Sequence, residues 1–182
     1  MSITVTKADA FKSFFPFIKD WDRKNNISYH LQFVEFLHKI GKIHDPQLTT
    51  RSLLIKTIII EYFTIIEAVV DAILCQLEVK VCETKFVPID IDERTSAERL
   101  FELAKKYGVV DNDTHSKLGQ LKKLRNRIHI KKPHKNQKSE YEAYTIDLLK
   151  QHQKLYSEVL CYLFEKNSVD KTRFPWPWDQ KK

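Results

Sequence analysis

Glycine is scarce in this chain, with three in 182 residues. That argues against a turn-rich β-fold, which needs glycine at its hairpins and bulges. Cysteine is scarce too. Cys75, Cys82 and Cys161 are odd in number and widely spaced, which excludes a disulfide frame or a zinc knuckle and suits reduced thiols in a cytoplasmic protein. A long uncharged apolar run is missing. The richest candidate, Leu53 to Leu77, carries Lys56, Glu61, Glu67 and Asp71, too costly to bury in lipid, so no membrane partner is expected. Met1 to Phe15 lacks a basic start followed by an apolar stretch, so no signal peptide is expected. There is no Gly-rich phosphate loop, no Gly-x-Ser-x-Gly, no His-Glu-x-x-His and no Cys-x-x-Cys, and no cofactor is expected. His129 and His134 straddle Pro133 without acidic neighbours, which speaks against a metal site.

Acid is missing from one long stretch. Ser116 to Ser139 holds no Asp or Glu but nine cations, leaving 22 cations against 24 acids elsewhere. The net charge of +7 therefore resides in this stretch. Such a local field attracts polyanions, nucleic acid above all, although a solvated face would show the same run. Lys122, Lys123, Arg127, Lys131, Lys132 and His134 are the candidate RNA-binding residues.

The periodicity predicts an all-α, multi-helix up-down bundle of about six helices around a long central one. Phe11, Phe14, Phe15, Ile18 and Trp21 mark a first helix over Lys7 to Lys24, kinked or delayed by Pro16 and broken at Asn25-Asn26. Ser28 to Ile40 is the second, stopped by Gly41. The third and longest runs from about Arg51 to Glu78. Its polar stripe includes Glu61, Glu67 and Asp71 and faces water, the basic segment or a partner; Glu67 and Asp71 could each support an arginine. Lys80 to Arg94 reads as a crossover loop with a short extended piece. Thr95 and Glu98 form a capping box for the next helix, and Gly108 closes it. Asp111-Asn-Asp113 caps the helix that follows, which ends at or before Pro133. A second capping box, Ser139 to Glu142, opens a last helix to about Lys166. The tail Arg173 to Trp178 has no period and either packs across the bundle or a neighbour, or is disordered.

On the basic helix Leu118, Leu121, Leu124 and Ile128 share one face. Arg125 and His129 are four apart, so they stack on the shoulder of that stripe, with Asn126 at the far edge of the pair.

The segment from Glu98 to Asp111, followed by Leu-Lys-Lys-Leu-Arg-Asn-Arg-Ile-His129, resembles the HEPN superfamily. Members are all-α bundles with an Arg-Asn motif and a following His on a late helix. The resemblance covers roughly Arg51 to Lys166, a core within a single domain, with 1–45 as a helical extension and 167–182 as a tail. The commoner family spacing leaves four to six residues between Arg and His. Arg125 to His129 leaves three and matches a shorter bacterial form, whereas Arg127 to His134 leaves six but crosses Pro133. The resemblance implies metal-independent RNA cleavage of a kind that suits a toxin or defence component. Arg125 would hold the phosphate, His129 would serve as general acid or base, and Asn126 would orient the motif or contact substrate. It also implies a homodimer with a composite site, its apolar seam supplied by the leucine stripe, and an antitoxin or nucleotidyltransferase as a further partner. Two other readings fit the same residues. One is a catalytically silent RNA-binding or regulatory module. The other is a scaffold in which Arg125 pairs with Glu67 or Asp71 and His129 caps the helix end.

Overall fold

A computed structural model describes residues 3–82, 85–89, 91–92, 95–125 and 140–178. The chain is an all-α bundle with one short strand pair. Its elements are α1 (Ala8–Lys12), α2 (Trp21–His44), α3 (Leu48–Leu74), β1 (Glu78–Cys82), β2 (Lys85–Pro88), α4 (Ala97–Lys106), α5 (Asn112–Arg125), α6 (Glu140–Ala143) and α7 (Ile146–Lys166). The central helix is α3, which packs against α2, α4, α5, α6 and α7. Its apolar residues on nearly every side, among them Ile58, Phe63, Ile66 and Val70, meet a different neighbour on each side and are buried.

The expected helix over Lys7 to Lys24, kinked or delayed by Pro16, is instead a short α1 that ends at Lys12, and α2 begins at Trp21, earlier than its apolar pattern alone suggests. The Asp20 carboxylate accepts the Arg23 backbone N–H at 2.9 Å and so caps it. Asn25-Asn26 does not interrupt α2. Asparagine costs a helix only a few tenths of a kcal/mol, roughly, and Asn25 is buried within the helix.

Gly41 does not stop α2 either. The helix continues to His44 and ends at Asp45, in the left-handed region with φ 37°. Gly41 instead lets two helices approach, because a Cβ there would lie 3.1 Å from Leu54 Cδ2 of α3. Leu54 is only half-buried and can yield. Gly41→Ala is therefore expected to raise stability by up to about 1 kcal/mol through helix propensity. Gly41→Val adds branched bulk to the same contact and should cost about 1–3 kcal/mol. Urea unfolding midpoints of the two variants would move in opposite directions.

The polar stripe of α3 is not a plain solvated face. His30 of α2 contacts the Glu61 carboxylate at 2.6 Å, and Arg23 of α2 contacts Asp71 at 2.5 Å. These pairs line the α2–α3 seam. The end of α3 also differs from expectation. The helix stops at Leu74, and Glu78 opens an antiparallel hairpin in which Glu78, Val79 and Lys80 pair with Pro88, Val87 and Phe86. The β-branched alternation around Val79 and Val87 favours extension once a partner strand is available.

The cap of α4 is Ser96, whose hydroxyl accepts the Arg99 N–H at 3.2 Å, while Thr95 Oγ1 contacts Asp92. The expected Thr95–Glu98 box is thus replaced by a cap one residue on, which leaves Glu98 on the helix surface. Gly108 closes α4 at φ 68°, and the Val109 N–H reaches the Ala104 carbonyl at 2.7 Å. The Asp111 carboxylate caps α5 by accepting the Thr114 N–H at 2.7 Å. That bond holds the Asp111 carboxyl below its ordinary range.

The last helix is divided. α6 ends at Ala143, Tyr144 turns inward against Ile55 and Ile59, and Thr145 caps α7 by accepting the Leu148 N–H at 3.2 Å. Ser139, the expected cap, lies outside the described residues. The tail packs across the bundle. Phe174 is 4% exposed against Phe11, Phe14, Phe15 and Phe164, while Trp176 and Trp178 stack on each other beside Tyr156. One hydrophobic cluster joins Phe11, Phe15 and Leu31 at the N-terminal end to Leu160, Phe164 and Phe174 at the other. No helix among the described residues is long and apolar enough to cross a membrane.

Candidate nucleic-acid interface

α5 is placed by its apolar side. Leu118 and Leu121 are 0% and 1% exposed and lie in the main core, where α5 meets α3, α4 and α7. This part of the leucine stripe is used inside the chain, so it supplies no seam for a second copy. Its burial fixes the rotation of the helix, and Arg125 is its last described residue. Leu124 and Arg125 are described by backbone alone. Asn126, Arg127, Ile128, His129, Lys131, Lys132 and His134 lie outside the described residues.

Of the cations that are described, two are already engaged. Lys117 Nζ sits 2.8 Å from Asp113 and 2.9 Å from Glu158 of α7, which raises its pKa. Lys122, an expected RNA contact, lies 3.1 Å from Glu98 of α4. Lys123 is exposed. Glu98 and Glu102 of α4, His115, Lys122 and Lys123 line a shallow cleft of about 210 Å³ between α4 and α5, where His115 Nε2 is 3.2 Å from Glu102. The start of the basic segment is therefore a mixed-charge surface. A count from Ser116 onward misses this because Glu98 and Glu158 arrive from other helices and Asp113 sits on α5 just ahead of the stretch. The local hint was the spacing of Asp113 four residues before Lys117 on the same helix.

The two expected supporting acids lie together on α3, and one of them meets an arginine. Asp71 is paired with Arg23, and Glu67 lines a polar cleft with Arg23, Asp71 and Asp92. Cys75 and Cys161 are free thiols, and burial pushes both up from their ordinary value. Among the described residues no group of three or more His, Cys, Asp or Glu could hold a metal ion.

The described histidines carry electrostatics that sequence spacing did not reveal. His38 is 8% exposed, its Nε2 lies 2.6 Å from the Tyr62 hydroxyl, and the Trp178 ring is 6.3 Å away. Burial pushes its pKa down to about 4, and Lys42 adds to the shift, so folded His38 is neutral at neutral pH. The unfolded chain gains a proton near pH 6.5, its ordinary value. Between about pH 6.5 and 4 the unfolded state thus binds more protons, and stability falls as the pH falls. The loss from this one group approaches about 3 kcal/mol at pH 4. His152 adds to it with the same sign, since burial lowers it as well. Urea titrations at pH 7 and 4.5 are expected to show this drop, and His38→Gln should shrink it.

Comparison with known protein families, with curated proteins and with solved structures finds no match for this chain.

Proposed function

We propose that the protein is a metal-independent endoribonuclease of the HEPN type, acting as a dimer with Arg125 and His129 in its site. The observation that carries this reading is the anchoring of α5. Leu118 and Leu121, within the acid-free, cation-rich stretch, lock the helix into the core, and that stretch carries Arg125-Asn126-x-x-His129 directly after them. A helix continued at its ordinary spacing would bring His129 one turn after Arg125 on the same side.

The chemistry requires only protons and positive charge. Neutral His129 takes the proton of a ribose 2′-hydroxyl, and the 2′-oxygen attacks the adjacent phosphorus. Arg125 binds the non-bridging oxygens and stabilises the charge that builds on them. The bond to the 5′-oxygen breaks, and that oxygen takes a proton from an imidazolium of the second copy. The products are a 2′,3′-cyclic phosphate and a 5′-hydroxyl. Asn126 orients the motif or contacts substrate. Lys123, Arg127, Lys131, Lys132 and His134 hold the strand, together with Lys122 when it parts from Glu98.

Incubation of the protein with a single-stranded RNA oligonucleotide in EDTA tests this. The expected result is cleavage to fragments with 2′,3′-cyclic ends. RNA that is retarded on a gel but left intact would overturn the nuclease reading in favour of a silent binding module. RNA that is neither retarded nor cleaved would exclude RNA as the ligand.

A further inference from the structure

A cleft of about 280 Å³ opens between the C-terminal half of α2, the start of α3 and the start of α7. Its base is closed by Leu37, His38, Ile55 and Ile58, each 8% exposed or less, and its walls include the half-buried Leu54 and Leu149. Apart from His38, no aromatic ring among the described residues lines it, so these residues offer aliphatic contact and no stacking platform. The base is uncharged, because His38 is neutral and engaged by Tyr62.

The upper lining differs. Among the described lining residues Lys42, Arg51 and Lys150 meet a single acid, Asp45, which the Arg51 guanidinium already contacts at 2.9 Å. Lys42 Nζ donates to the Trp178 carbonyl at 3.2 Å and keeps its charge uncompensated by any acid among the described residues. Lys150 is exposed and has no ion pair among the described residues. An aliphatic cavity under a net positive rim is complementary to a ligand with an apolar body and one anionic end.

We infer that this cleft binds an amphipathic monoanion, with an unbranched alkyl chain against Leu37, Ile55 and Ile58 and a carboxylate among Lys42, Arg51 and Lys150. The volume accommodates about nine groups of water or methylene size at ~30 Å³ each, which corresponds to a medium-length chain. The inference rests on residues separate from the basic segment and stands independently of RNA cleavage.

Calorimetric titration of the full chain with octanoate, octan-1-ol and octylammonium tests it. Octanoate is expected to saturate one site per chain, with octylammonium roughly tenfold weaker or worse. Lys150→Glu should weaken octanoate by roughly tenfold, and filling the cleft with Leu54→Trp should remove binding. Circular dichroism melting checks that each variant is folded, and Ile146→Trp, at an exposed lining position, takes the place of Leu54→Trp if that chain does not fold. Absence of octanoate binding to the folded protein, equal binding of octylammonium, or unchanged affinity in the filled variant would overturn the assignment.

Discussion

Phe164→Ala is expected to lower the unfolding free energy by about 3–5 kcal/mol. Phe164 is fully buried near the end of α7. Its ring lies 5.1 Å from Phe174, 5.5 Å from Phe15, and 6.4 Å from Phe14 and from Phe17, measured between centroids. Three of those rings belong to the segment around Pro16, and the fourth belongs to the tail. Truncation would therefore open a cavity at the one place where both ends of the described chain meet the bundle. Neither end can close it, because Phe174 is itself held by Phe11 and Phe14. Urea unfolding would report the loss, and the emission of Trp176 and Trp178 would report loosening of the tail at lower urea than the bundle. Phe164→Leu keeps most of the volume and should cost less than about 1.5 kcal/mol. A cost below about 1 kcal/mol for the alanine variant would mean that the aromatic junction is not packed as described.

The second large effect concerns chemistry. His129→Ala is expected to reduce RNA turnover by about 10²–10⁴-fold, the usual contribution of a positioned general acid or base. Gel retardation of intact RNA should stay nearly unchanged, since neutral imidazole adds little to phosphate affinity. Arg125→Ala should lower turnover by a similar factor, about 10²–10³ for lost charge stabilisation, and weaken binding as well. Affinity for RNA should fall steeply with salt in all forms. Glu98→Gln releases Lys122 and is expected to strengthen binding modestly without altering the pH dependence of cleavage. A His129→Ala protein that cuts RNA at the wild-type rate would remove His129 from the mechanism and with it the proposed site.

The sequence by itself determined the helical class, the long central helix, the closure at Gly108 and the Asp111 cap. Each rests on local physics: apolar periodicity, a left-handed turn, or a side-chain acceptor within three residues. It also determined the acid-free stretch and the Arg125–His129 spacing, since both are properties of order along the chain. Tertiary structure alone decided the rest. Gly41 and Asn25 carry local stop signals, yet α2 runs through both because burial against α3 outweighs a small propensity cost. Thr95 lost the cap to Ser96, and a single helical pattern split at Tyr144 so that this ring could reach Ile55 and Ile59. The largest shift in meaning came from charge. Lys122 looks free in sequence but meets Glu98, Lys117 gains Glu158 beyond its helix neighbour Asp113, and the acidic stripe of α3 meets His30 and Arg23. Coulomb partners are chosen by proximity in space, which no window along the chain can measure.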